Sequence, residues 1–234
     1  MTEPKSNIAI IAAAGIGSRM HADRAKQMLE LGGVPLLVHT LRRFEQCPDI
    51  DQVILVLQPN LTSEVLALLP RHNLMKIVRV VAGGAERQDS VYRGLQVIRP
   101  ETVGIVVVHD AVRPFVRPEE ISAVIRRAET KGAALMAMAA IDTIKQVKKG
   151  HVQKTFDRRL IYHAQTPQAF RYDILRQAYE RAYADGFLAT DDSQLVERTG
   201  HRVWIVEGSH INIKITRPFD LRIAEVIHSE FFSS

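Results

Sequence analysis

The 234-residue chain has one cysteine, Cys47, so no intrachain disulfide can form and a reducing compartment suits it. Cys47 itself, just before Pro48, reads as a small packed residue. No apolar run approaches the length of a bilayer span, and the short polar start Met1–Asn7 does not resemble a signal peptide. The expectation is a cytoplasmic protein with no membrane partner. Aromatic residues are only 6%, and the 31 Lys and Arg are scattered among 26 acids, giving a net charge of +5 without a basic helix or an aromatic-rich sheet. That argues against nucleic acid and suits small phosphorylated ligands. Repeats, low-complexity tracts and Pro/Gly/Ser linkers are missing too. Residues 1–234 therefore read as one domain.

What is present is an alternation. Apolar runs of strand length occur at Ile8–Ala12, Gln52–Leu57, Lys76–Val81, Gly104–Val108, Ala133–Ala139 and Val203–Val206. Helical patterns lie among them at Pro35–Phe44, Ser63–Leu69, Asp89–Ile98, Pro118–Thr130, Arg171–Ala184 and Asp191–Arg198. Strands apolar throughout, separated by helices, predict an α/β fold with a mostly parallel sheet covered on both faces. Asp142–Asp157 departs from this: two short alternating runs flank Lys148-Lys149-Gly150, the pattern of a β-hairpin. It is too polar for a core, so it is either a solvated ribbon or an arm packed on another subunit.

Three loops follow predicted strands and should converge at the carboxyl edge of the sheet, where such sheets bind ligands. The first is Ala13-Ala14-Gly15-Ile16-Gly17-Ser18-Arg19-Met20, with Lys26 beyond it. Its glycines bare the backbone N–H groups for phosphate, and Arg19 and Lys26 are cations suited to a triphosphate. Met20 breaks the dinucleotide fingerprint, and no Gly-Lys-Ser/Thr follows. An ordinary strand-to-helix turn with two surface cations is the plain alternative. The second loop is Gly83-Gly84-Ala85-Glu86-Arg87-Gln88-Asp89-Ser90, where paired glycines allow a base or ribose close to the backbone and Ser90 offers a hydroxyl. The third is His109-Asp110-Ala111-Val112-Arg113. A carboxylate at the tip of a buried strand needs a cation, and Mg²⁺ beside nucleotide phosphates fits Asp110. Arg113 is within reach of a phosphate or of Asp110. Lys214 lies between Ile213 and Ile215; in a strand it would point opposite to them, either into a cleft or to solvent. Thr190 and Thr216 read as helix N-caps.

Taken in order, these segments resemble one family over Ile8 to Leu221, the 2-C-methyl-D-erythritol 4-phosphate cytidylyltransferases. The resemblance is carried by Ala13-Ala14-Gly15-Ile16-Gly17-Ser18-Arg19-Met20 with Lys26-Gln27, and by Gly83-Gly84-Ala85-Glu86-Arg87-Gln88-Asp89-Ser90-Val91. It continues with His109–Phe115, Asp142-Thr143-Ile144-Lys145, Gln165–Phe170, Thr190-Asp191-Asp192 and Asn212–Pro218. Departures are Ala12 and Ala25 where proline is usual, Ala85 at a commonly acidic position, Val112 for a smaller residue, and Ser209-His210-Ile211 without an acid.

The resemblance implies a Rossmann-like nucleotidyltransferase fold with a protruding hairpin arm at about 141–158. It implies transfer of CMP from CTP to 2-C-methyl-D-erythritol 4-phosphate with release of pyrophosphate. By the same resemblance Arg19 and Lys26 are the catalytic cations, and Ala13, Ala14, Gly15, Gly17, Gly83, Gly84, Ser90 and Ala111 hold CTP. Asp110 holds Mg²⁺ or another divalent cation. Thr143, Arg158, Lys214 and Arg113 hold the sugar-alcohol phosphate, with Thr143 and Arg158 reaching a neighbouring subunit's site in a homodimer. Such a reaction needs no base, which favours a packed role for His109. A ribitol 5-phosphate cytidylyltransferase shares Asp-Ala-Val-Arg-Pro-Phe and Gln-Thr-Pro-Gln. A non-catalytic nucleotide sensor would be expected to have lost Arg19, Lys26 or Asp110.

Overall fold

The computed structural model describes residues 5–15 and 24–232. Its centre is a seven-stranded sheet in the order β11-β7-β10-β6-β1-β4-β5. The strands are β1 (Ser6–Ala13), β4 (Gln52–Leu57), β5 (Ile77–Ala82), β6 (Val103–Asp110), β7 (Ala133–Ala139), β10 (Tyr162–Arg171) and β11 (Trp204–Glu207). All are parallel except β10, which runs antiparallel to both of its neighbours, β6 and β7. Two small ribbons flank the sheet: β2 (Glu30–Leu31) with β3 (Val34–Pro35), and β8 (Lys145–Lys148) with β9 (His151–Thr155).

Side chains of β1 divide by parity, as the strand period requires. Ala9, Ile11 and Ala13 face one core, with Leu41 and Phe44 of α1 (Leu36–Gln46) and Val124 and Ala128 of α4 (Pro118–Lys131). Ile8 and Ile10 face the other, with Val91 and Leu95 of α3 (Arg87–Gln96) and Leu175 and Tyr179 of α5 (Tyr172–Ala184). The short α2 (Thr62–Leu68) covers the first face through Val65, and α6 (Asp192–Arg198) covers the second through Leu195 and Val196. The mostly parallel sheet with helices on both faces is the architecture expected from the alternation. Helix α4 ends at Gly132, whose φ of +91° suits the residue that turns the chain back into β7.

Three details differ from the expectation. Strand β10 is not among the expected strands, because the polar Gln165-Thr166-Pro167-Gln168 breaks any apolar run there. In the fold those residues are buried and their polar atoms are bonded inside the protein. The β10–β7 register shifts between Ala164 and Gln168, around a cis Thr166–Pro167 peptide. Helix α7 (Pro218–Phe231) is signalled only by the cap reading of Thr216 and given no extent: Ala224 and Ile227 face a third core while Phe219 and Val226 are exposed, so its apolar pattern has no single face. Finally, Thr190 and Thr216 are not caps. The N-caps are Asp191, whose side chain accepts from Gln194 N, and Arg217, while the Thr216 hydroxyl instead donates to Asp220.

The hairpin is present. Its turn is Lys149-Gly150 with φ of 50° and 80°, the left-handed pair favoured by tight hairpins, and every residue of β8 and β9 is exposed.

Candidate active site

The carboxyl ends of β1, β4, β5 and β6 open into one cleft of about 550 Å³. From β1 come Ala13, Ala14 and Gly15. Lys26 lies against Gly15: its Nζ stands 3.6 Å from where a Cβ on that glycine would sit, an ordinary contact distance. Lys26 opens a short 3₁₀ turn, Lys26–Met28. The next residue, Gln27, is buried and donates through Nε2 to Ala13 O at 2.7 Å, which ties that turn to the end of β1.

The loop after β5 meets the loop after β1 directly. A Cβ on Gly83 would fall 2.1 Å from the Ala14 Cβ, so only glycine permits this approach. Gly83 N donates to Leu57 O at 2.7 Å, and Gly84 N donates to Ser90 Oγ at 3.1 Å. The Ser90 hydroxyl donates onward to Glu86 O at 3.0 Å. Ser90 thus staples its own loop rather than presenting an idle hydroxyl. Glu86 and Asp89 form the capping box that starts α3.

Asp110 ends β6, paired in register with Ala12. Its carboxylate meets Arg87 Nε at 3.0 Å, Lys214 Nζ at 2.9 Å and Arg113 Nε at 3.5 Å. Burial opposes ionisation of this group, yet Arg87, Lys214 and Arg113 together hold its pKa well below the usual carboxylate range. The backbone N of Asp110 donates to Thr166 Oγ1 at 3.1 Å. His109, beside it, is fully buried against Phe44. One ring nitrogen faces Arg113 O at 3.1 Å and the other Thr166 Oγ1 at 3.0 Å, and burial lowers its pKa to about 4. It is a neutral packed residue that does not line the cleft.

Ala13, Ala14, Gly15, Lys26, Gly83, Gly84, Ser90, Asp110, Ala111 and Lys214 therefore share one cleft. Arg113 supports it through Asp110, with a second anchor from Nη1 to Asn212 O at 2.9 Å. Thr143 and Arg158 do not line it. Both are exposed at the base of the hairpin, where Arg158 Nη1 donates to Ile141 O at 2.7 Å. Gly17 and Arg19 lie outside the described residues. Two contributors had no role in the sequence reading, Arg87 and Asp192, whose ion pair is 2.8 Å long. The only signal was the Thr190-Asp191-Asp192 run, which says nothing about its partner.

Comparison with known proteins decides the family. The family model described as 2-C-methyl-D-erythritol 4-phosphate cytidylyltransferase matches residues 7–230. This chain belongs to that family. A protein of that name from Syntrophus aciditrophicus is 47% identical over 220 residues, spanning 93% of this chain and 94% of its own length. Another from Acidobacterium capsulatum is 45% identical over 224 residues, with 92% and 94% covered. Among solved structures, the 4-diphosphocytidyl-2C-methyl-D-erythritol synthase from Anaerococcus prevotii superposes with a TM-score of 0.86 at 33% identity, covering 96% of each chain. The chain is thus a nucleotidyltransferase enzyme of isoprenoid precursor synthesis.

A divalent cation can be tested against the donor set. No cluster of three potential protein ligands exists among the described residues. The two oxygens of Asp110 offer about four acceptor sites; Arg87 Nε and Lys214 Nζ approach them at 3.0 and 2.9 Å, while Arg113 Nε stays 3.5 Å away without a hydrogen bond. The acceptor capacity left would suit a Mg²⁺-like ion that takes the rest of its ligands from phosphates and water. The site fits an ion brought by the nucleotide, not one held by protein alone.

Proposed function

We propose that the cleft joins CTP to 2-C-methyl-D-erythritol 4-phosphate. The observation that carries this is the meeting of the loops after β1, β5 and β6 around Lys26, Asp110 and Lys214, in a chain of this family. An oxygen of the acceptor phosphate attacks the α-phosphorus of CTP. The bond between that phosphorus and the oxygen bridging it to the β-phosphate breaks, and pyrophosphate leaves. A phosphate monoester has a second pKa near 6 and is mostly dianionic at neutral pH, so no protein base is required. The obstacle is repulsion between the two anions: two like charges about 4 Å apart cost roughly 4 kcal/mol at an effective dielectric of 20.

In this reading Lys26 faces the triphosphate from beside Gly15, and Arg19 supplies a second cation from the same loop. The backbone of Ala13, Ala14, Gly15 and Gly17 receives phosphate oxygens. Gly83, Gly84, Ser90 and Ala111 frame the nucleoside. Lys214, held at Asp110, faces the acceptor phosphate. Asp110 supplies one ligand to a Mg²⁺ or related ion, which would neutralise phosphate charge when bound. Thr143 and Arg158, standing away from this chain's own cleft, serve the cleft of a second copy through the arm at 141–158. The exposed side chains of Ile141, Val147, Val152 and Leu160 give that arm an apolar surface to bury. The chain then works as a single-domain cytoplasmic homodimer on small phosphates rather than on nucleic acid. No described helix is long and apolar enough to cross a membrane.

The test is pyrophosphate release from CTP and Mg²⁺ with either 2-C-methyl-D-erythritol 4-phosphate or ribitol 5-phosphate as acceptor. Release with the first and not the second is expected; the reverse would contradict the reading.

A further inference from the structure

Asp192 is almost wholly buried at the start of α6 and does not line the cleft, yet it is tied to the cleft's acid. Its Oδ2 lies 2.8 Å from Arg87 Nη2, and its Oδ1 accepts from the Tyr179 hydroxyl of α5. The same guanidinium places Nε 3.0 Å from Asp110 Oδ1. We propose that Arg87 is a positioning residue, fixed by Asp192, which orients Asp110 and through it the Lys214 ammonium over the cleft. This deepens the transferase reading above and rests on it.

A planar guanidinium hydrogen-bonded to one carboxylate and ion-paired with a second has less freedom to swing than one held by a single acid. With Oδ1 of Asp110 held by Arg87, Oδ2 is turned to Lys214 at 2.9 Å and to Arg113 at 3.5 Å. Asp110 cannot then rotate without breaking contacts on both oxygens. Burial works against the charge of Arg87, but Asp192 and then Asp110 hold its pKa well above the ordinary value, so it is a permanent cation there. The adjoining residue adds a second latch: Gln88 Nε2 donates to Phe187 O at 3.0 Å and Gln88 Oε1 accepts from Ala189 N at 2.8 Å. The first turn of α3 is therefore hydrogen-bonded to the approach to α6. The Thr190-Asp191-Asp192 segment acquires a purpose in this arrangement: it sets the cation that sets the acid. Binding of phosphates needs only the charges; transfer needs them at fixed positions, and a misplacement of about 1 Å can cost up to about a hundredfold in rate.

Asp192→Asn is the informative variant. It keeps an oxygen for Tyr179 and leaves Arg87 paired with Asp110, so no buried charge is stranded. Steady-state pyrophosphate release and thermal unfolding are read together. The expected result is a folded protein whose kcat falls about tenfold while KM for CTP stays within about twofold. In the double variant Arg87→Gln with Asp192→Asn, kcat falls no further than in Arg87→Gln alone, because both act by one route. A folded Asp192→Asn with kcat within about twofold of the parent, or additive losses in the double variant, overturns the inference. Should Asp192→Asn fail to fold, Arg87→Lys decides by the same readout, since lysine keeps the charge but cannot span both acids. An unaltered chain that releases no pyrophosphate defeats the reaction reading and this inference together. An active parent with an unaffected Asp192→Asn defeats this inference alone.

Discussion

Glycine at 83 is required by contact rather than by backbone conformation. Its Cα lies so close to Ala14 that a methyl group would overlap it at 2.1 Å. Gly83→Ala must therefore push apart the cleft loops that follow β1 and β5, proposed above to hold CTP. The expected cost is about 1–3 kcal/mol of stability by denaturant unfolding, with a rise in KM for CTP larger than the change in kcat. Unchanged stability and unchanged KM would show that the loops part freely. On the proposed reading Arg19 is the second cation at the triphosphate, and Arg19→Ala is expected to lower kcat about 10²–10³-fold in the pyrophosphate assay.

Among elements, β10 shows where sequence and structure part company. Gln168 on that strand donates through Nε2 to Asp191 Oδ2 at 2.9 Å, and its Oε1 accepts from Ser193 N at 2.9 Å, so one amide pins the start of α6. Gln168→Ala leaves a buried helix start without these partners. It is expected to cost about 2–3 kcal/mol in urea unfolding, well beyond a surface change. The same residue explains why the strand was invisible: buried polar side chains carry no hydrophobic period, and their partners lie far along the chain. By contrast β1, β4 and β6 were legible because they are apolar on both faces. The cleft loops were legible because glycines and charges directly follow those strands. Lys214 lay outside that logic, since its pairing with Asp110 joins positions more than a hundred residues apart. Arg87 and Asp192 needed the fold itself to bring α3, α6 and β6 together.

For the whole molecule, two buried histidines contribute to the response to acid. His109 and His39 both have pKa values lowered to about 4, chiefly by burial, from an ordinary 6.5. Unfolding lets each take up a proton between those limits, so the unfolded state binds more protons and stability falls as pH drops from 6.5 towards 4. Each contributes about 1.4 kcal/mol per pH unit inside that window. Urea unfolding at pH 7, 6 and 5 should show a small loss over the first step and a larger one over the second. A flat profile would mean the rings are not buried neutral. Asp110 acts lower still: its folded pKa is depressed, so its stabilisation is present above the ordinary carboxylate value and is lost only as pH falls through the folded one. Acid therefore weakens the scaffold before it discharges the acid at the cleft. The claim on which the whole account depends is that a cation beside the Gly15 loop drives transfer at the α-phosphorus. Lys26→Ala, assayed for pyrophosphate release from CTP and 2-C-methyl-D-erythritol 4-phosphate, tests it most directly. The account predicts a kcat lower by about 10²–10³ with the fold intact, and a kcat within about twofold of the unaltered chain would contradict it.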